Sequence, residues 1–483
     1  MRMIQRANAE ALLWIAQSHP DHEKLYRLSH FVHLYDGEDG RAIRSLMTAQ
    51  TMALNDDEWG AVLALERARE EGRGLRWSFI EEHGLPSLVV RRFIVEEDYD
   101  EEAEHLHAIS ELREKARHKE GVAGYTILPT TACNARCPYC YEQGYAIQTM
   151  SPKTIDKLVA FIERTKREGQ IRLNWYGGEP TLQHEIISTI CRKLNDCGIE
   201  YESSMVSNGS LFTPELADRA CDLWNLKTLQ ISLDGERTYY ERAKNFLNPT
   251  EHHYERVMES VRLLSERGIE VHLRCNCTPE NLPRMEDFID DLARRFGDNE
   301  NVSLYFAYLF DYVTDDGFPR FYDQILALYD ICNAMKLHAG ITNTRTMRAG
   351  ACMADNPVSS VVVTPEGELY VCEHPTDKNW VGNLDDGIIG QATIENFRRI
   401  DVDPSCEHCR YLPVCTPFKK LKCPNESKNT HCFEKAVSTE NQIVHASLSR
   451  YARKQAEAAE AAEAAGEGKA EAAVQAAGGV ARS

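Results

Sequence analysis

The amino-acid sequence predicts an α/β protein with a partial barrel of six strand–helix units, preceded by a small α+β domain and followed by a cysteine-rich domain. Three observations indicate this fold class. Residues 1 to about 120 contain no cysteine, residues from about 122 to 335 alternate apolar strands with amphipathic helices, and seven cysteines lie between about 345 and 435. Alternating strands and helices are typical of a parallel sheet. Six units are too few for a complete eight-stranded barrel.

The first domain is predicted over residues 1–120. Apolar alternation from Ser29 to Tyr35, followed by a turn rich in Asp and Gly, indicates a strand. Helices are expected over about 56–71 and 76–83, and a short strand over 88–94. This mixture favours a winged-helix-like domain, and an embellishment of the barrel is the alternative.

The barrel domain is predicted over residues 121–340. Its strands are expected at 125–129, 171–176, 202–206, 228–233, 271–275 and 302–308. Helices are expected between them, near 153–168, 184–197, 214–224, 251–267 and 283–296. Ligands of such sheets bind at the carboxyl ends of the strands. Polar residues at these ends are therefore the first candidates for a functional site.

Three cysteines follow the first barrel strand with the spacing C-x3-C-x2-C, namely Cys133, Cys137 and Cys140. Thiolates are the usual ligands of iron–sulfur clusters. Three of them on a four-iron cube leave one iron open, as a catalytic metal site requires. By spacing alone, a zinc loop or three free thiols remain alternatives.

Polar motifs follow the next strands: Gly177-Gly178-Glu179-Pro180, Ser207-Asn208-Gly209 and Ser232-Leu233-Asp234-Gly235. With the cysteine motif, they make the region 122–310 resemble the radical S-adenosylmethionine (SAM) superfamily. The resemblance implies a [4Fe-4S] cluster on the three cysteines. It also implies reductive cleavage of SAM to a 5′-deoxyadenosyl radical, which abstracts a hydrogen atom from the substrate.

The same resemblance implies the residues that bind SAM. The Gly-Gly-Glu-Pro motif would hold the methionyl amino group, because a carboxylate such as Glu179 suits a cationic amine. Ser232 and Asp234 would contact the ribose, and the backbone around Tyr139 the adenine. Arg274 is a candidate partner of the SAM carboxylate, with a structural ion pair as the alternative. The full set is Tyr139, Gly177, Gly178, Glu179, Pro180, Ser207, Asn208, Ser232, Asp234 and Arg274.

The third domain, predicted over residues 341–440, resembles the SPASM domain of radical SAM peptide maturases. Its cysteines are Cys352, Cys372, Cys406, Cys409, Cys415, Cys423 and Cys432. The sixth departs from the common spacing, because it lies eight residues after the fifth. The resemblance implies two auxiliary clusters, one on Cys406, Cys409, Cys415 and Cys432, and one on Cys352, Cys372 and Cys423 with a possible open iron. A pair of zinc ribbons is the alternative.

Composition restricts the partners and the compartment. A net charge of −20 and a pI near 5.4 disfavour nucleic acid as a partner. The sequence shows neither the apolar core of a signal peptide nor a membrane-spanning apolar stretch. We therefore expect a cytoplasmic protein, in which clustered cysteines bind metal rather than form disulfides. Residues 441–483 read as a helical or disordered Ala/Glu-rich tail without a catalytic role.

The combined domains resemble maturases that install thioether crosslinks of the ranthipeptide and sactipeptide type. The resemblance implies a ribosomally synthesised precursor peptide, whose leader adds a strand to the N-terminal domain. It also implies a reductant such as flavodoxin or ferredoxin. Glu373 is a candidate base. One alternative is an anaerobic sulfatase-maturating enzyme, which forms formylglycine and commonly has Asp where Glu373 stands. The others are another SPASM peptide-modifying enzyme and a noncatalytic iron–sulfur or zinc scaffold.

Overall fold

The computed structural model describes residues 23–117, 121–248, 252–309, 312, 317–340, 359–398, 404–414 and 431–452. The chain forms two compact units. One comprises residues 1–103 with 436–483, and the other comprises residues 104–435. Within the described ranges, no helix is long and apolar enough to span a membrane.

The first unit contains six short strands: β1 (Leu25–Leu28), β2 (Val32–Gly37), β3 (Gly40–Ser45), β4 (Thr51–Leu54), β5 (Leu75–Arg76) and β6 (Ile94–Glu96). They form two antiparallel sheets, with the orders β5–β1–β6 and β2–β3–β4. Between the strands lie α1 (Asp56–Glu70), α2 (Trp77–Glu82) and α3 (Pro86–Val90), and α4 (Glu101–Arg117) follows.

Helix α1 begins within a residue of its predicted start because Asn55 caps it. The Asn55 side chain accepts a hydrogen bond from the Glu58 N–H, and the Glu58 carboxylate accepts one from the Asn55 N–H, both at 2.9 Å. This reciprocal arrangement satisfies two backbone donors at the start of the helix. The buried face of the helix, with Trp59, Val62 and Leu65, contributes to the core of the first unit.

The prediction of a strand over residues 88–94 is wrong. Pro86 lies in the first turn of α3, where its fixed φ and missing N–H suit a helix. Arg92 then adopts a φ of 58°, which turns the chain. Strand β6 begins only at Ile94 and pairs with β1.

The second unit contains the six predicted barrel strands: β7 (Gly124–Thr130), β8 (Ile171–Gly177), β9 (Tyr201–Ser207), β10 (Leu226–Ser232), β11 (Glu270–Cys277) and β12 (Val302–Tyr308). They pair in parallel and in chain order. The accompanying helices are α5 (Pro152–Thr165), α6 (His184–Asp196), α7 (Pro214–Asp222), α8 (Arg237–Lys244), α9 (His253–Ser265), α10 (Met285–Phe296) and α11 (Phe318–Ala334). The mixed α/β class is confirmed.

Buried and more exposed residues alternate along β8, β9 and β12, so that one face of these strands is mainly apolar and the other mainly polar, whereas β7 is buried throughout. On the polar face, the Ser204 hydroxyl donates to Asn174 Oδ1 at 3.1 Å. The Tyr305 hydroxyl donates to Gln230 Oε1 at 2.5 Å. Side chains from different strands therefore contact one another across this face.

The sheet continues beyond the barrel strands into the C-terminal region. Strand β13 (Ser360–Val363) pairs in parallel with β7, and β14 (Glu368–Tyr370), β15 (Trp380–Asn383) and β16 (Gly387–Ile388) follow in antiparallel order. Helix α12 (Gln391–Arg398) comes next.

The last described helix, α13, spans residues 432–452, and from residue 436 onward it belongs to the first unit. Val444 and Leu448 pack against Ala42 of β3. Arg44, also on β3, forms a buried ion pair with Glu440, with 2.6 Å between Nε and Oε2. Residues distant in sequence thus complete the interior of the first unit.

Candidate functional site at the strand ends

The cysteine loop directly follows β7 and is held by two neighbouring segments. At the end of α8, the carbonyl oxygen of Lys244 accepts a hydrogen bond from the Arg136 N–H at 3.0 Å, and shortly after the helix the Leu247 N–H donates to the Asn134 carbonyl at 2.9 Å. After β9, the Asn208 side-chain amide donates to Asn134 Oδ1 at 2.7 Å. The loop that carries Cys133, Cys137 and Cys140 is thus fixed by the ends of several barrel elements.

The two glycines of the Gly-Gly-Glu-Pro motif make room for the beginning of this loop. A Cβ on Gly177 would lie 2.3 Å from the Thr130 carbonyl oxygen, and a Cβ on Gly178 would lie 2.4 Å from the Ala132 carbonyl oxygen. The N–H of Glu179 donates to that Ala132 oxygen at 2.8 Å. Close backbone approach, which only glycine permits, therefore joins the end of β8 to the cysteine loop.

Glu179 is completely buried and connects two strand ends. Its Oε1 accepts hydrogen bonds from the Thr181 N–H and hydroxyl, at 3.1 and 2.5 Å, and from the Ser207 hydroxyl at 2.8 Å. Its Oε2 accepts one from the Asn208 N–H at 2.7 Å. Burial raises the pKa of Glu179, and these hydrogen bonds oppose the shift. Because a carboxylate oxygen accepts about two hydrogen bonds, Oε2 can accept one more from a ligand.

Asp234 follows β10 and is also completely buried. Its Oδ1 accepts hydrogen bonds from the backbone and side-chain amides of Asn276, at 3.1 and 2.8 Å. Its Oδ2 accepts one from the Tyr139 hydroxyl and pairs with the Lys244 ammonium at 3.0 Å. These contacts fill about four acceptor positions of the carboxylate. A ribose hydroxyl that donates to Asp234 would have to replace one of them.

Lys244 and Asn276 were not predicted from the sequence. Lys244 is the last residue of α8, and only 2% of it is exposed. Burial lowers the pKa of Lys244, but Asp234 and Cys137 raise it more, so that the net shift is upward. The ammonium is therefore charged in the folded protein, and it also donates to the Tyr139 hydroxyl at 3.1 Å.

The predicted base Glu373 and the predicted cofactor ligand Arg274 lie near Tyr176, at the end of β8. Burial raises the pKa of Tyr176 to about 12, the charges of Glu373 and Glu142 add to the increase, and Arg274 opposes it. Glu142 was not predicted. Burial raises its own pKa to about 7. The Arg274 Nε donates to Asn276 Oδ1 at 3.1 Å.

An aromatic contact links the cysteine loop to the segment around Cys372. The rings of Tyr141 and His374 lie 3.7 Å apart, centroid to centroid. Tyr141 directly follows Cys140 in the chain, and the His374 N–H donates to the Cys372 sulfur at 3.5 Å. The structure thus brings a cysteine of the C-terminal set close to the strand-end loop.

Three further cysteines of the C-terminal set, Cys406, Cys409 and Cys432, lie near one another. Burial raises the pKa of Cys409, and the proximity of Cys406 and Cys432 adds to the increase. The Cys409 N–H donates to the Cys406 carbonyl at 3.1 Å. The other predicted ligands, Cys352, Cys415 and Cys423, lie outside the described residues.

The strand-end thiols fit an iron–sulfur cluster by their chemistry. Burial raises the pKa of Cys133 to about 12, Glu179 and the other two loop cysteines add to the shift, and the Ala135 N–H, 3.4 Å from the sulfur, opposes it. Among the described residues, no three His, Cys, Asp or Glu side chains converge as ligands of a single metal ion would. Thiolates of a four-iron cube each bind a different iron atom and need not converge in this way.

Comparison with known proteins agrees with this geometry. Residues 127–292 match the family model of the Radical SAM superfamily. These residues form a radical SAM domain. Members of the superfamily are enzymes that use SAM and a [4Fe-4S] cluster, and residues 127–292 are the domain that carries this chemistry.

Curated relatives match only part of this chain. An uncharacterized protein of Methanocaldococcus jannaschii is 25% identical over 177 residues, which are 35% of this chain and 58% of the relative. The GTP 3′,8-cyclase of Tolumonas auensis is 32% identical over 109 residues, which are 22% of this chain and 31% of the cyclase. The chain thus spans less than two thirds of the length of these relatives.

A solved structure shares the fold over a longer range. Native anSMEcpe with bound AdoMet and the Cp18Cys peptide aligns with a TM-score of 0.52 at 19% identity. The alignment covers 68% of this chain and 99% of anSMEcpe. At this identity the likeness concerns the fold alone.

Proposed function

We propose that the protein is a peptide maturase that forms a thioether between a cysteine sulfur and a carbon of the same ribosomally synthesised peptide. The observation that carries the proposal is the junction of the cysteine loop with three motif-bearing strand ends, through Gly178, Asn208 and Asp234. When bound, the cluster and SAM together supply a 5′-deoxyadenosyl radical, which removes a hydrogen atom from the substrate.

The residues of this chain would hold SAM as follows. Cys133, Cys137 and Cys140 would hold the [4Fe-4S] cluster through their thiolates. Glu179 Oε2, with its remaining acceptor position, binds the methionyl amine. Ser232, which ends β10, contacts the ribose, and Arg274 pairs with the SAM carboxylate.

The remaining predicted cofactor residues would contact the adenine, shape the strand ends or orient other side chains of the site. The backbone around Tyr139 contacts the adenine, while its hydroxyl is held by Asp234. Gly177, Gly178 and Pro180 shape the end of β8. Ser207 and Asn208 orient the Glu179 carboxylate.

The peptide substrate is proposed from the domains around the barrel. The C-terminal cysteines would form the SPASM-type auxiliary clusters, and Cys372 lies beside the cysteine loop through the contact of Tyr141 with His374. The N-terminal sheet β2–β3–β4 would bind the leader by strand addition. The structure that shares the fold, anSMEcpe, was itself determined with a peptide.

Thioether formation removes two hydrogens from the peptide, one as a hydrogen atom from carbon and one as the thiol proton. Glu373 is the proposed acceptor of that proton, because it lies near Tyr176 and Arg274 at the strand ends. The remaining electron would need an acceptor, and the auxiliary clusters would supply that chemistry when bound. A flavodoxin or ferredoxin would supply the electron that cleaves SAM.

The test is an anaerobic reaction of the reconstituted full chain with SAM, dithionite and a cysteine-containing candidate peptide, read by mass spectrometry. We expect 5′-deoxyadenosine and a peptide that has lost two hydrogens per crosslink and has no thiol left to alkylate. Cys140→Ala should abolish both products. Cys197→Ala removes another exposed cysteine, which lies after α6, and should leave both unchanged.

Other outcomes contradict defined parts of the proposal. A peptide aldehyde that reacts with a hydrazide probe would indicate formylglycine, and hence a sulfatase-maturating enzyme. Formation of 5′-deoxyadenosine without any change in a panel of cysteine-containing peptides would contradict thioether formation. Filled clusters without 5′-deoxyadenosine would favour a noncatalytic iron–sulfur scaffold.

A further inference from the structure

Lys244 is a charged side chain inside the barrel unit whose role neither the motifs nor the family match assigns. It ends α8, and Asn245, with φ of 48° and ψ of 61°, stops the helix directly after it. Its side chain is 3% exposed, and its ion-pair partner Asp234 is not exposed at all. A charge is buried in this way only when it is paired, because its desolvation is otherwise too costly.

The same residue contacts the cysteine loop through its backbone. Its carbonyl oxygen accepts a hydrogen bond from the Arg136 N–H and lies 3.8 Å from the Cys137 sulfur. Its ammonium donates to the hydroxyl of Tyr139, the residue directly before Cys140. The side chain of Lys244 therefore places a positive charge beside the loop, and its backbone carbonyl group holds the loop in place.

The ion pair contacts the cysteine loop at Tyr139. The Tyr139 hydroxyl donates to Asp234 Oδ2 and accepts a hydrogen bond from the Lys244 ammonium at 3.1 Å. Both charges of the pair are therefore fixed beside the loop, and replacing either one changes the charge there by one unit.

We infer that the charge of Lys244 raises the reduction potential of the iron–sulfur cluster held by Cys133, Cys137 and Cys140, an inference that rests on the proposed function. Reduction adds one electron to a cluster that already carries thiolates. A fixed positive charge in a poorly solvated region stabilises the added negative charge more than water would. Nearby charge and hydrogen bonding are known controls of cluster potential.

The experiment is an EPR-monitored redox titration of the reconstituted full chain without SAM, together with iron and sulfide analysis. We expect Lys244→Met to shift the reduction equilibrium at least tenfold toward the oxidised cluster, which is 59 mV for one electron. Asp234→Asn, which removes the opposing negative charge, should shift it in the opposite direction. Lys244→Arg should restore the wild-type potential to within a factor of about three in that equilibrium.

The matched control is Lys227→Met, because Lys227 is an exposed lysine near the start of β10, at the far end of that strand from Asp234. It removes the same charge and should leave the potential unchanged. If Lys244→Met does not retain iron, the double variant Lys244→Met/Asp234→Asn removes both buried charges, and its potential should lie below that of Asp234→Asn alone.

Three results would overturn the inference. An unchanged potential in Lys244→Met is one, and a double variant whose potential equals or exceeds that of Asp234→Asn is another. A shift of Lys244→Met and Asp234→Asn in the same direction would show that the pair acts only by holding the loop. Failure of the wild-type protein to bind a four-iron cluster would overturn the proposed function as well, and the iron and sulfide analysis identifies that case.

Discussion

Replacing Gly178 by alanine tests whether close backbone packing holds the cysteine loop. The added Cβ would lie 2.4 Å from the Ala132 carbonyl oxygen and 2.6 Å from the Thr131 carbonyl oxygen, whereas real Cβ atoms essentially never come within 3.0 Å of such atoms. Both contacts are backbone atoms, so no side chain can rotate away. Overpacking of this kind costs about 1–3 kcal/mol, and we expect the upper end of that range.

Urea unfolding followed by circular dichroism measures the stability of Gly178→Ala, and iron and sulfide analysis after anaerobic reconstitution measures cluster binding. Both should decrease, since the loop must move to admit the methyl group. Gly60→Ala is the control, because Gly60 lies in α1 with nothing within 4 Å of the added Cβ. That change should stabilise the helix by about 0.8–1 kcal/mol and leave iron binding unaltered. Equal unfolding midpoints and equal iron contents for Gly178→Ala and wild type would refute the packing argument.

Three further predictions concern buried polar groups. Arg44→Met should destabilise the first unit by about 3–5 kcal/mol in urea unfolding, because it leaves Glu440 charged and unpaired, and adding Glu440→Gln should restore most of the loss. His105→Leu should reduce acid sensitivity, measured as the difference between unfolding midpoints at pH 7 and pH 5. Burial lowers the pKa of His105 to about 4, so the unfolded chain binds a proton first and stability falls as the pH drops from about 6.5 toward 4. Glu179→Gln should cost about 1–3 kcal/mol in thermal or urea unfolding. The amide NH2 of the new glutamine would face the Asn208 N–H and leave a buried donor unpaired. An unchanged midpoint would contradict that hydrogen-bond assignment.

The barrel strands were predictable because their signal is local. Apolar residues recur within short runs between amphipathic helices, and all six predicted strands are present within a few residues of their expected bounds. The strand expected over 88–94 failed for an equally local reason. Its apolar residues are as compatible with a short buried helix as with a strand, and Pro86 decided in favour of the helix.

The partners within the site were not predictable in the same way. The sequence indicated Glu179 and Asp234 as polar strand-end residues, but Lys244 has the pattern of an ordinary solvated lysine at the end of a helix. Its burial depends on the ion pair with Asp234, a contact made only when the chain after β10 folds back over the cysteine loop. The ion pair of Arg44 with Glu440 joins residues 396 positions apart, and no local pattern indicates it.

That ion pair has a consequence for biosynthesis. During translation Arg44 emerges long before Glu440, and at about 5–20 residues per second the 396 positions between them take roughly 20–80 s to synthesise. The first unit therefore remains incomplete, with one face of β3 uncovered, until the whole barrel and all the predicted cluster cysteines have been synthesised. Nascent chains that stall or are cleaved in this interval lack the helix that completes the unit, so quality control would encounter them as incompletely folded proteins.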